Sequence, residues 1–174
     1  DGLKPNPDFA SANFSKELSN LYKGFTKPTP IQSYCWPAIQ TGKDVVGIAE
    51  TGSGKTLAFS LPVLSKILSK TGKSTFIQMV VVAPTRELAL QTHNVLCGTV
   101  GSVCIYGGMS KDDQRKELKK VKPLVVVGTP GRLVDFIQDG TLNFGAVSHF
   151  VLDEADRMLD LGFAEDIAKI AASL

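Results

Sequence analysis

Residues 49–56 read Ala49-Glu50-Thr51-Gly52-Ser53-Gly54-Lys55-Thr56, and no other stretch narrows the fold as much. An apolar run rich in β-branched residues precedes them, and a helical pattern follows. A glycine-rich turn between a strand and a helix is the context of a phosphate loop. The general pattern has Gly, four residues, then Gly-Lys-Ser/Thr, and Ala49 stands here at the first place. Glycines let backbone N–H groups turn inward around an anion. The N-terminus of the following helix points its positive dipole end at the same spot. On this reading Thr51, Gly52, Ser53 and Gly54 form the cradle, Lys55 reaches the outer phosphates and the Thr56 hydroxyl ligates Mg²⁺. The plainer alternative is a glycine-rich connection with no ligand.

The rest of the chain agrees with such a loop. Apolar runs at Asp44–Ala49, Met79–Pro84, Ser102–Tyr106, Leu124–Thr129 and His149–Asp153 read as strands. Most are apolar on both faces, as strands of a doubly covered parallel sheet are. Helical patterns fill the gaps at Thr29–Gln40, Lys55–Ser69, Thr85–Cys97, Lys111–Lys120, Gly131–Gln138, Glu154–Asp160 and Phe163–Ala172. Pro62 predicts a kink or break in the second of these. The alternation predicts an α/β fold: an open, mainly parallel β-sheet flanked by helices. Ligands of such sheets bind beyond the C-terminal ends of the strands.

Composition excludes several classes. The 174 residues, 43% hydrophobic and 21% charged, form an ordinary globular mix, which argues against disorder, collagen and coiled coil. The length suits one domain over 1–174. No apolar run approaches the roughly 18 residues of a membrane span, so no membrane is expected. The net charge of +2 is too balanced to argue nucleic-acid binding by bulk electrostatics. The basic stretch Lys111–Lys122 reads as a solvated helix face. Cys35, Cys97 and Cys104 lack metal-ligand spacing and read as free thiols of a reducing compartment. His93 and His149 likewise read as structural.

The run His149–Leu152 closes on Asp153-Glu154-Ala155-Asp156. Beside a phosphate loop, an acidic strand end supplies the second half of a nucleotide-hydrolysis site. Asp153 would hold Mg²⁺ through water. Glu154 would orient an attacking water and take its proton. Phosphoryl transfer needs such positioning and charge neutralisation. The alternative is an acidic cluster capping the next helix.

These motifs together resemble the DEAD-box RNA helicases, specifically the first RecA-like domain of that family. Gly24-Phe25-Thr26-Lys27-Pro28-Thr29-Pro30-Ile31-Gln32 is similar to the family's adenine-reading segment, and Ala49–Thr56 to its phosphate loop. Pro84-Thr85-Arg86-Glu87-Leu88-Ala89, Gly107-Gly108 and Thr129-Pro130-Gly131-Arg132 are similar to its RNA-contact motifs, in the family's order. The resemblance implies ATP and Mg²⁺ as cofactors. It implies that Gln32 reads adenine, that Phe25 and Lys27 lie near the base, and that an upstream aromatic stacks on it. Phe9 is the first candidate for that role and Phe14 the second; core packing is the alternative for both.

The resemblance also implies RNA binding through Pro84, Thr85, Arg86, Gly107, Gly108, Thr129, Gly131 and Arg132. Helices opening at Thr85, Ser110 and Gly131 would present N–H groups to successive phosphates. That mode reads no bases and needs no strongly basic chain. Few aromatics stand on that side, so base specificity is expected to be low. Arg86 could instead pair with an internal carboxylate. A second RecA-like domain, with its arginine fingers, is expected outside these residues, and Asp156 is expected to face motifs that lie beyond Leu174. The chain is therefore read as a monomeric fragment that binds nucleotide, hydrolyses it poorly and does not unwind RNA. Two other readings stand beside it: a different phosphate-loop enzyme such as a GTPase, although no Asn-Lys-x-Asp motif occurs, and a non-enzymatic RNA clamp or scaffold. The segments Gly47–Glu50 and Val103–Gly108 resemble members working in ribosome assembly. That resemblance implies an intracellular, nuclear or nucleolar place, with the cytoplasm as alternative.

Overall fold

The computed structural model describes residues 2–71 and 76–174. Contacts divide the chain into two compact units, Asp1–Lys73 and Ser74–Leu174.

In the second unit, four Val- and Ile-rich runs pair into a sheet. The strands are β1 (Met79–Val82), β2 (Ser102–Ile105), β3 (Val125–Gly128) and β4 (His149–Leu152), all parallel, in the order β2-β3-β1-β4. Strands β1, β2 and β3 are buried throughout, whereas β4 is only partly covered. Both β2 and β4 are edge strands, and β2 is buried because α3 and α4 pack against it. Alternate residues point to one face. Val80, Val82, Val103, Ile105 and Val126 therefore share a core with Leu133, Phe136, Met158 and Ile170 from the helices. The helices are α3 (Arg86–Leu96), α4 (Lys111–Val121), α5 (Pro130–Gln138), α6 (Ala155–Asp160) and α7 (Ala164–Ala171). Each fully buried Val, Leu or Phe side chain removes enough apolar surface to contribute roughly 1.5–3 kcal/mol.

The first unit holds a short 3-10 helix (Lys16–Leu21), α1 (Pro30–Gln40) and α2 (Lys55–Thr71). Trp36, Leu61 and Leu64 are fully buried, and the Trp36 indole Nε1 donates to the Leu57 carbonyl at 3.2 Å. The pairing of α1 with α2 explains why α2 continues through Pro62 rather than breaking there. Buried Leu61, Val63, Leu64 and Ile67 on either side of Pro62 hold the helix against the loss of one backbone hydrogen bond.

The strand expected at Asp44–Ala49 does not form. The segment has no regular structure, and Val46 and Ile48 are 90% and 92% exposed. β-propensity records a fit to a pleated, half-buried surface rather than a backbone preference, and among the described residues no strand pairs with this run. The other elements agree with expectation within two residues at their ends.

Candidate functional site

In the first unit, the phosphate loop leads into α2 at Lys55. Gly52 and Gly54 have φ of +79° and +88°, a left-handed backbone that costs other residues roughly 1–2 kcal/mol. The N–H of Ser53 closes the turn on the Glu50 carbonyl at 3.3 Å. Lys55 Nζ donates to the carbonyls of Ala49 at 2.7 Å and Glu50 at 2.8 Å, which leaves one of its three N–H groups. Ser53 Oγ is buried with no hydrogen-bond partner among the described residues. The first N–H groups of α2 have no partner within the helix. An orphaned hydroxyl, an ammonium with one N–H to spare and helix N–H groups without an intrahelical partner fit a phosphate chain. The Thr56 hydroxyl, in the same first turn, suits a hard cation.

Gln32 is joined to this loop. Its side chain is 4% exposed; Oε1 accepts from the N–H of Thr29 at 3.0 Å, and Nε2 donates to the Gly54 carbonyl at 3.1 Å. One amide N–H and one lone pair remain for a ligand. Phe25 is 61% exposed and Lys27 is exposed. Phe9 is half-buried, stacked on Tyr22 with ring centroids 4.8 Å apart and 5.3 Å from the Trp36 ring. Phe14 is buried edge-on against Trp36. Sequence reasoning did not single out Tyr22, which covers one face of Phe9. Its place beside the Gly24-Phe25 segment was the available signal.

In the second unit, the registers align the C-terminal ends of all four strands in one row. Ile105 pairs with Gly128, Gly128 with Val82, and Val82 with Leu152. The row continues one residue further: Thr129 N–H donates to Ile105, Ala83 N–H to Gly128 and Asp153 N–H to Val82, each within 3.0 Å. Beyond it lie the three expected RNA-contact segments and the acidic strand end.

Each segment opens a helix. Thr85 Oγ1 accepts from the N–H of Leu88, and Ser110 Oγ from the N–H of Asp113, both at 3.3 Å. Helix α5 starts at Pro130, one residue before the expected Gly131, with Thr129 as its N-cap. Proline suits that first position because its missing N–H has no partner there in any residue. Pro84 is buried. Arg86 is exposed, with its guanidinium 4.8 Å from the Tyr106 ring centre and no carboxylate partner among the described residues. Gly107, Gly108 and Gly131 are exposed, and a Cβ on any of them would meet nothing within 4 Å. Arg132 differs from Arg86. Its side chain is only 9% exposed, and its terminal nitrogens donate to the Met109 carbonyl and to Gln114 Oε1. Gln114 gave no sequence signal, since a glutamine in a charged helix looks solvated.

Asp153 is 6% exposed. Glu154 stands at φ +53°, a left-handed backbone without glycine, and makes no capping hydrogen bond to α6. Its Oε2 lies 3.5 Å from Arg157 Nη1. Asp156 is exposed in the first turn of α6. No described helix is long and apolar enough to cross a membrane.

A four-stranded parallel sheet flanked by helices, with these motifs in this order along the chain, defines a RecA-like fold. The DEAD/DEAH box helicase family model matches residues 29–174, and the chain belongs to that family. The ATP-dependent RNA helicase DBP3 of Kluyveromyces lactis is 48% identical over 174 residues, covering 97% of this chain and 34% of that protein. DBP3 of Ajellomyces capsulatus is 52% identical over 166 residues, covering 92% of this chain and 34% of that protein. The crystal structure of a DEAD box protein from the hyperthermophile Methanococcus jannaschii matches with a TM-score of 0.86 at 37% identity, over 97% of this chain and 47% of that one. The chain thus spans about a third of the length of these curated relatives.

Proposed function

We propose that this chain is the ATP-binding first half of an RNA-dependent ATPase that clamps and remodels RNA. The observation carrying the proposal is the aligned row Ile105–Gly128–Val82–Leu152, which sets three helix-opening loops and Asp153 along one sheet edge. Bare glycines at 107, 108 and 131 leave backbone open to an outside partner, which supports phosphate rather than base contacts. Thr85 and Thr129 are the N-cap residues of α3 and α5, and buried Pro84 precedes Thr85. Arg86 adds exposed positive charge, and Arg132 acts from beneath the surface.

In the nucleotide reaction, Thr51, Gly52, Ser53 and Gly54 wrap the phosphates and Lys55 neutralises their charge. Gln32 reads adenine, Phe25 and Lys27 lie near the base, and Phe9 supplies the aromatic surface. Thr56 and Asp153 would hold Mg²⁺, which would supply charge neutralisation at the phosphates. The Glu154 carboxylate orients a water and accepts its proton.

A second RecA-like domain of the same protein completes turnover, and Asp156 serves the link to it. The chain alone then binds nucleotide as a monomer and hydrolyses it slowly, because an arginine finger is worth roughly 10³–10⁵ in rate. The resemblance of Gly47–Glu50 and Val103–Gly108 to ribosome-assembly members supports a nuclear or nucleolar place. Glu154→Gln in the full-length protein tests the assignment: hydrolysis falls at least about 100-fold while ATP binding persists. Unchanged hydrolysis would leave the non-enzymatic clamp as the better reading.

A further inference from the structure

Helix α4 is a charged, mostly exposed helix with one buried polar side chain, Gln114, at 4% exposure. A buried amide is costly unless its donors and acceptor are matched. Here both ends are matched, and by different loops. Nε2 donates to the Tyr106 carbonyl at 3.1 Å, and Oε1 accepts from Arg132 Nη1 at 2.8 Å. Arg132 in turn donates from Nη1 and Nη2 to the Met109 carbonyl, both at 3.1 Å, with its guanidinium 5.6 Å from the Phe136 ring centre. Tyr106 and Met109 bracket Gly107-Gly108, and Arg132 belongs to α5. Two adjacent glycines have the largest backbone entropy to lose on ordering. The Gln114–Arg132 pair grips this dipeptide at both ends and ties it to the next loop.

We propose that Gln114 and Arg132 are positioning residues for RNA: they fix the spacing between the Gly107-Gly108 backbone and the start of α5, so that both meet phosphates of one strand. The inference rests on the RNA reading above. Arg132 is spent on internal acceptors and acts through the loops, whereas exposed Arg86 acts on phosphate directly.

The test uses the full-length protein and a labelled oligouridylate. Gln114→Met keeps shape and removes both hydrogen bonds, and it should raise the RNA concentration for half-maximal ATPase about 5- to 30-fold. Gln114→Glu keeps the acceptor for Arg132 and should recover part of that loss. Nucleotide affinity without RNA and the melting temperature report folding. The salt dependence of RNA affinity separates the two arginines. Arg86→Ala should flatten the slope by about 0.7, and Arg132→Met should weaken binding without flattening it. Flattening by Arg132→Met, or unchanged half-saturation in Gln114→Met, overturns the proposal. Absence of salt-dependent RNA binding by the wild type sinks the RNA reading, and the positioning role with it.

Discussion

The amide of Gln32 ties the start of α1 to the phosphate loop, donating from Nε2 to the Gly54 carbonyl at 3.1 Å while Oε1 holds the N–H of Thr29. Gln32→Ala leaves both backbone groups unmatched, at a cost of about 1–3 kcal/mol. ATP affinity measured by calorimetry should fall about tenfold or more. Gly54→Ala should be worse, because φ is +88° and the added Cβ would run into Gln32 Nε2. An alanine variant that binds ATP normally would refute this coupling.

Gly128 ends β3, where a Cβ would lie 2.7 Å from the Ile105 carbonyl oxygen and 2.9 Å from Leu133 Cδ2. The strand spacing cannot widen without breaking the row of loops. Gly128→Ala should therefore destabilise the protein by about 1–3 kcal/mol, seen as a fall of several degrees in melting temperature.

Glu154 holds a left-handed backbone at φ +53°. Backbone strain of this kind clusters at sites where the side chain is needed for function, in keeping with the hydrolytic role proposed for Glu154. Glu154→Gly should leave the melting temperature unchanged or raise it, since the conformational penalty of roughly 1–2 kcal/mol disappears. Hydrolysis in the full-length protein should be lost. A clear fall in stability would show that the carboxylate and its Arg157 contact serve folding.

Asp139 is held at about 2, below its ordinary 3.8, first by the Thr141 hydroxyl and then by Arg115, whose Nη2 lies 2.6 Å from Oδ2. A depressed carboxyl contributes stability above its unfolded value and loses it as pH falls through the folded one. The stability gap between wild type and Asp139→Asn should be constant near neutrality. It should shrink as pH falls from 3.8 towards 2. Urea midpoints across that range would show it, and a gap independent of pH would reject the assignment.

Burial pushes the Cys104 thiol up to about 12, with Glu117 adding to the effect, and burial also raises Cys35, while Cys97 is exposed. The thiolate is the reactive form. Titration with a disulfide reagent at neutral pH should modify Cys97 first, and Cys97→Ser should remove the fast phase.

The sequence by itself determined the alternation of strands and helices, the glycine-rich loop and the acidic strand end, because these depend on periodicity and short-range chemistry. It placed Arg86 and Arg132 alike, each following a strand-end turn. Only the tertiary structure separated them, since exposure depends on what else arrives: Tyr106 lies under one, while Gln114, Met109 and Phe136 enclose the other. The same limit explains Asp44–Ala49. Its residues carry the strand pattern, but a strand exists only where another backbone supplies partners, and the described residues supply none. Local sequence writes propensity, and long-range pairing decides which propensities are used.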